Sequence, residues 1–160
     1  MRDDVKLDYQ RNEIEKTIKE HQINRKRFFE VSKQSYQQII KKIGQTFVDK
    51  SKHTDSIHWA NMGNYRSELK CTYVVMRDWS DWLKELPNIV PVFDTSAYVL
   101  FEDARTYWLY EAYMYELILV LNESCLYGDF YIVSKKYDWL IRACSHYKNS
   151  IKYVKLKQWR

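Results

Sequence analysis

Glycine and proline are scarce in this chain, with three and two among 160 residues. Gly44, Gly63 and Gly128 stand too far apart for G-x-G-x-x-G or G-x-x-x-x-G-K, which excludes the common glycine-rich phosphate loops. So few turn formers also argue against long low-complexity linkers. A chain of 160 residues can bury a full core, so a single domain over 1–160 is expected. Cysteine is equally sparse. Cys71, Cys125 and Cys144 are odd in number, form no C-x-x-C and have no histidine at ligand spacing. That pattern points to reduced thiols in a cytoplasmic protein rather than to a disulfide framework or a zinc site. No window approaches the roughly 18 consecutive apolar residues that span a bilayer. The opening M-R-D-D-V-K-L-D-Y-Q has no apolar core of a secretory leader, so no leader is expected. His21, His53, His58 and His146 are scattered and suggest no catalytic constellation. No metal and no cofactor are expected.

Aromatic residues, in contrast, are plentiful: fourteen Tyr and six Trp. From Ala97 to Leu156 they alternate with charged residues in A-Y-V-L-F-E-D, R-T-Y-W-L-Y-E, D-F-Y-I-V-S-K-K-Y-D-W-L-I and S-I-K-Y-V-K-L. A period of two puts one side of each strand in a core and the other in water. The pattern predicts a hairpin of 98–102 and 107–111 turning through D-A-R, then strands over 130–134, 137–143 and 151–156, with K-K at the tip of the turn after 134. Val99, Phe101, Trp108, Tyr110, Ile132, Leu140 and Val154 are the expected core face. A one-residue shift in register would move a whole strand's set to the other side.

Elsewhere the apolar spacing is helical. Val5, Leu7, Ile14 and Ile18, then Phe28, Val31, Tyr36, Ile39, Ile40, Ile43 and Phe47, mostly recur at three, four or seven. Two helices are expected, breaking near 21–24, with Asn24 capping the second and Gly44 near its end. A polar loop is expected over 50–70, with a short strand or turn around 57–60, followed by a strand over 71–76. Trp79, Trp82, Leu83 and Leu86 form a helix behind an Asp78 cap, ended by Pro87. A short helix over 113–122 reads as buried and apolar almost all round. Helices over 1–48 and a sheet-forming part over 71–156 give the α+β class: an antiparallel sheet with helices packed on one face.

Charge is segregated along the chain. Residues 1–52 carry 13 Lys/Arg against 8 Asp/Glu, 53–133 carry 5 against 12, and 134–160 carry 8 against 1. The two basic ends could fold into one nucleic-acid face or could pair with the acidic middle. A nucleic-acid face would use Arg25, Lys26 and Arg27 with Lys152, Lys155 and Lys157. A protein-binding face would use the acidic, aromatic residues Asp94, Glu102, Asp103, Tyr107, Tyr110 and Glu111. Paired carboxylates at Glu102, Asp103 and Glu111 could also hold a divalent ion or run acid–base chemistry, but Asp103 sits where a turn favours Asp. Trp79, Trp82, Trp108 and Trp139 could stack on bases, yet their spacing suits a core better.

The passages W-S-D-W-L-K-E-L-P, A-Y-V-L-F-E-D-A-R-T-Y-W-L-Y-E-A and D-F-Y-I-V-S-K-K-Y-D-W-L-I resemble small bacterial proteins loosely grouped with the SUKH-type immunity proteins of polymorphic toxin systems. The resemblance covers roughly 79–146 and lies mostly in strand-forming aromatics. The Trp-Gly pairing of SUKH proteins is absent. The resemblance implies a non-enzymatic protein that neutralises a toxin or effector by occluding its surface. A nucleic-acid-binding module is the alternative from another class, and no membrane partner is expected.

Overall fold

The computed structural model describes residues 8–48, 70–76, 79–90, 94–103, 106–126, 130–147 and 150–157; for 70–76, 79, 89, 103, 144–147 and 150–157 it describes the backbone alone. Apart from Lys70, the loop expected over 50–70 lies outside the described residues, as do the Asp78 cap and the side chains of Asp103, Lys152, Val154, Lys155 and Lys157. Among the described residues are four helices, α1 Tyr9–Glu20, α2 Lys33–Phe47, α3 Trp79–Ile89 and α4 Met114–Glu123. The strands are β1 Phe28–Glu30, β2 Lys70–Met76, β3 Ser96–Asp103, β4 Thr106–Tyr113, β5 Phe130–Ser134, β6 Leu140–Tyr147 and β7 Ser150–Lys157. They form one antiparallel sheet in the order β1-β4-β3-β5-β6-β7-β2. The class is α+β.

Three helices share one face of the sheet. Ile14 and Ile18 of α1, Trp82, Leu83 and Leu86 of α3, and Met114, Leu117, Val120 and Leu121 of α4 pack on Val99, Phe101, Tyr110, Ile132 and Ile141. Aromatic rings tie this layer together, with Trp82 edge-on to Phe130 at 5.4 Å and Phe101 edge-on to Tyr110 at 6.0 Å. The opposite face, which simple alternation assigns to water, is covered by α2. Ile43, Phe47 and Val48 pack there on Leu100, Tyr107, Leu109, Tyr131, Val133 and Leu140. The central strand β5 is therefore buried at every residue. Val99, Phe101, Trp108, Tyr110 and Ile132 lie on the expected face, but Leu140 belongs to the second core. The strand begins with Leu140 opposite Val133, one residue out of phase with Ile141, and that single step changes the face.

The N-terminal helical pattern breaks where a break is expected, by a different device. After α1, Gln22 takes a left-handed conformation at φ 51°. Its N–H donates to the Lys19 carbonyl at 3.3 Å, and the Ile23 N–H donates to the Ile18 carbonyl at 3.0 Å. Ile18 and Ile23 are both buried, which completes a Schellman stop. Asn24 does not cap a helix. Its side-chain oxygen accepts from the Lys26 N–H at 2.9 Å and its carbonyl from the N–H groups of Arg27 and Phe28, so the chain turns and enters β1. Phe28 and Val31 thus belong to the sheet edge, where Val31 N–H donates to the Leu109 carbonyl at 2.9 Å. Pro87 does not end α3, which continues to Ile89. Proline removes its own N–H donor and crowds the preceding turn, yet the Val90 N–H beyond it still reaches the Leu86 carbonyl at 3.0 Å.

Candidate functional site

The residues expected to form an acidic, aromatic face do not come together. Tyr110 is 0% exposed and Tyr107 4%, and they lie in opposite cores, so neither can present its ring to a partner. Tyrosine supplies apolar area that a two-faced sheet can bury, and that is where these two rings go. Glu111 is half-buried; it accepts a hydrogen bond from the Ser96 hydroxyl at 2.9 Å and pairs with Lys135. Glu102 is half-buried opposite Tyr107, whereas Glu111 stands opposite Tyr98. Four residues of strand separate the two registers, about 13 Å, so these carboxylates form no pair for a metal or for acid–base work. Asp94 is exposed ahead of β3, and Asp103 ends that strand. No group of three His, Cys, Asp or Glu side chains that could hold a metal occurs among the described residues.

The acidic middle is joined to the basic N-terminal part through Arg27, while Arg11 and Arg25 pair within that part. Arg27 donates to Glu116 at 2.6 Å and lies 4.0 Å from the Tyr113 ring centre. Arg11 pairs with Glu30 at 2.9 Å, and Glu30 also accepts from the Tyr36 hydroxyl at 2.8 Å. That hydroxyl in turn accepts from the Leu109 N–H at 3.1 Å, satisfying β4 where the short β1 has ended. Arg25 donates to Glu15 at 2.7 Å, and Glu15 accepts from the Tyr110 hydroxyl at 3.0 Å. Burial alone would raise the Glu15 carboxyl, but the hydrogen bonds from Arg25 and Tyr110 bring it below the usual range. Burial, then the neighbouring Glu15 charge, pushes the Tyr110 phenol up, so it stays a donor.

These contacts also occupy two of the three N-terminal basic residues expected to bind nucleic acid. Arg25 and Arg27 are in ion pairs, and Lys26 is exposed between them. They precede β1 at one edge of the sheet, while Lys152, Lys155 and Lys157 are on β7, five strand positions away. At ~4.8 Å per strand that is about 24 Å, so the two basic segments do not merge into one track.

Among the described residues the exposed large apolar side chains are Phe29 on the edge strand β1 and two residues of the helical layer. Tyr115 of α4 is 67% exposed and Leu119, one turn further on, 36%. Beside them runs a groove of about 620 Å³ between α3 and α4. Its α3 wall is Ser80, Leu83, Lys84 and Pro87, and its α4 wall is Tyr115, Ile118 and Asn122. The sequence reading of α4 as uniformly buried missed this stripe. Met114, Leu117, Val120 and Leu121 fill the core, and Tyr115, Leu119 and Asn122 at i, i+4 and i+7 mark the outward side. The spacing was legible, but the bulk of apolar residues around α4 hides it.

No helix among the described residues is long and apolar enough to cross a membrane. No curated protein and no solved structure matches the chain. Residues 7–158 match one family, spanning both cores and the α3–α4 groove, and the chain accordingly belongs to the family of unknown function DUF6756.

Proposed function

We propose that this is a non-enzymatic binding protein that neutralises a toxin or effector protein by occluding its surface, with the α3–α4 side of the helical layer as its contact face. The observation that carries the reading is the exposed Tyr115–Leu119 stripe beside an apolar groove. Tyrosine at the centre of such a patch is a frequent anchor of protein interfaces, and large apolar side chains left in water on a helix mark contact sites. The neighbouring carboxylate Glu116 of α4 is tied to Arg27, which favours an apolar contact over the acidic one suggested by composition. The toxin or effector identity of the partner, and a cytoplasmic setting, rest on the strand resemblance and on the unclustered cysteines.

A photo-crosslinking residue placed at Leu119 tests the reading in the native host, with the same group at Lys26 as control. Adducts of a distinct protein at 119 and not at 26, with partner activity restored when the protein is withdrawn, are the expected result. Absence of any protein adduct at 119 would sink it.

A further inference from the structure

We infer that the α3–α4 groove receives an amphipathic helix of the partner protein, docked by apolar side chains at i, i+3, i+4 and i+7 and carrying a carboxylate against Lys84. The inference rests on the protein-binding reading above and gives it a partner class. Both walls have helical spacing over two turns. Ser80, Leu83, Lys84 and Pro87 stand at i, i+3, i+4 and i+7 on α3, and Tyr115, Ile118 and Asn122 at i, i+3 and i+7 on α4. Each stripe is about 10 Å long, two helical turns. Two such stripes on neighbouring helices leave a valley whose ridges and grooves accept a third helix.

An extended peptide would gain little there. The helix backbones forming the walls satisfy their own N–H and C=O groups, so the valley offers no ladder to a strand. A nucleic acid would need a basic track, and among the described residues Lys84 is the one charged residue lining the groove. Lys84 lies between Leu83 and Pro87 in the wall, is exposed, and forms no ion pair among the described residues. A carboxylate on the incoming helix supplies the complementary charge and fixes its direction along the valley.

The test is a displayed library of 16-residue helices randomised over apolar residues at i, i+3, i+4 and i+7, with Glu or Lys at the flanks, selected on the full chain. Recovered peptides are titrated by fluorescence anisotropy beside scrambled versions. Enrichment of Glu-flanked helices that bind saturably is expected. Tyr115→Ala with Leu119→Ala, both in exposed positions, should weaken them tenfold or more with an unchanged melting curve, and Lys84→Glu should turn the preference toward Lys-flanked helices. Failure to enrich the pattern, equal binding of scrambled peptides, or indifference to the double substitution would overturn the inference. Self-association in sedimentation velocity that Tyr115→Ala abolishes would assign the groove to a second copy, and nuclear Overhauser contacts filling the valley from the same chain would assign it to that segment; either result also overturns it. If the helices fail while Leu119 crosslinks a partner, the helix inference falls and the protein-binding reading stands. If both fail, both fall.

Discussion

The two ends of the helical layer on one sheet face are built differently. At the α1 end, Arg11, Arg25 and Arg27 meet Glu30, Glu15 and Glu116, and the Tyr110 and Tyr36 hydroxyls complete the network. At the α3–α4 end, Leu83, Pro87, Ile118 and Tyr115 line an apolar groove and Leu119 is open to water. The polar end closes on itself, because a charge near a core is costly unless a partner of opposite sign and hydrogen-bond donors surround it. Of the segregated charge, Arg27–Glu116 and Lys135–Glu111 link the basic ends to the acidic middle, whereas Arg11–Glu30 and Arg25–Glu15 close within the N-terminal part.

The contrast is tested hardest within α4. Leu117→Ala, in the core beneath the helix, should cost about 2–5 kcal/mol in urea denaturation, whereas Leu119→Ala on the outward side should stay within about 0.5 kcal/mol. Equal losses at both positions would mean that α4 has no outward face. At the polar end, Tyr110→Phe should cost about 1.5 kcal/mol or more, since it removes a hydrogen bond to a carboxylate and leaves Glu15 with one donor fewer. In a Glu15→Gln background the same substitution should cost less, and a double-mutant cycle measures the difference.

Acid should act on the same end. Glu15 is held below the usual carboxylate range in the folded chain, so its contribution is complete above the unfolded carboxylate pKa, roughly 4.3, and is lost as pH falls through its lower folded value. Stability followed by denaturant midpoint from pH 6 to 3 should therefore fall less steeply in Glu15→Gln than in the natural chain. The smallest effect is at the stop of α1. Gln22→Gly should raise stability by about 0.5–1 kcal/mol, because glycine takes the left-handed conformation without a Cβ clash, less its greater freedom in the unfolded chain. A loss on this substitution would show that the Gln22 side chain matters more than its backbone.

Much of the fold was legible. The aromatic and β-branched run F-Y-I-V-S marks β5 over Phe130–Ser134 as expected, and the helical spacing of Trp82, Leu83 and Leu86 marks the buried side of α3. Phe28 and Val31 were harder, because their spacing continues the helical pattern although a three-residue strand carries the chain there. Local spacing cannot tell a helix turn from a short edge strand when the deciding hydrogen bonds, such as Val31 N–H to the Leu109 carbonyl, reach 78 positions along the chain. The candidate site was the least legible part. Tyr107, Tyr110, Glu102 and Glu111 share composition and proximity in sequence, yet strand alternation sends the two rings to opposite cores.

By itself the sequence determined the class of the protein: periodicities of two and 3.6 dictate which segments extend and which coil, and the missing glycine motifs exclude phosphate loops. Only the tertiary structure decided that α2 covers the second face, that Arg27 of the N-terminal part meets Glu116 of the acidic middle, and that Tyr115 stays in water while Tyr110 does not. The reason is physical. Periodicity is a property of neighbours three or four residues apart, whereas burial and charge pairing depend on which distant segments the sheet order brings alongside one another.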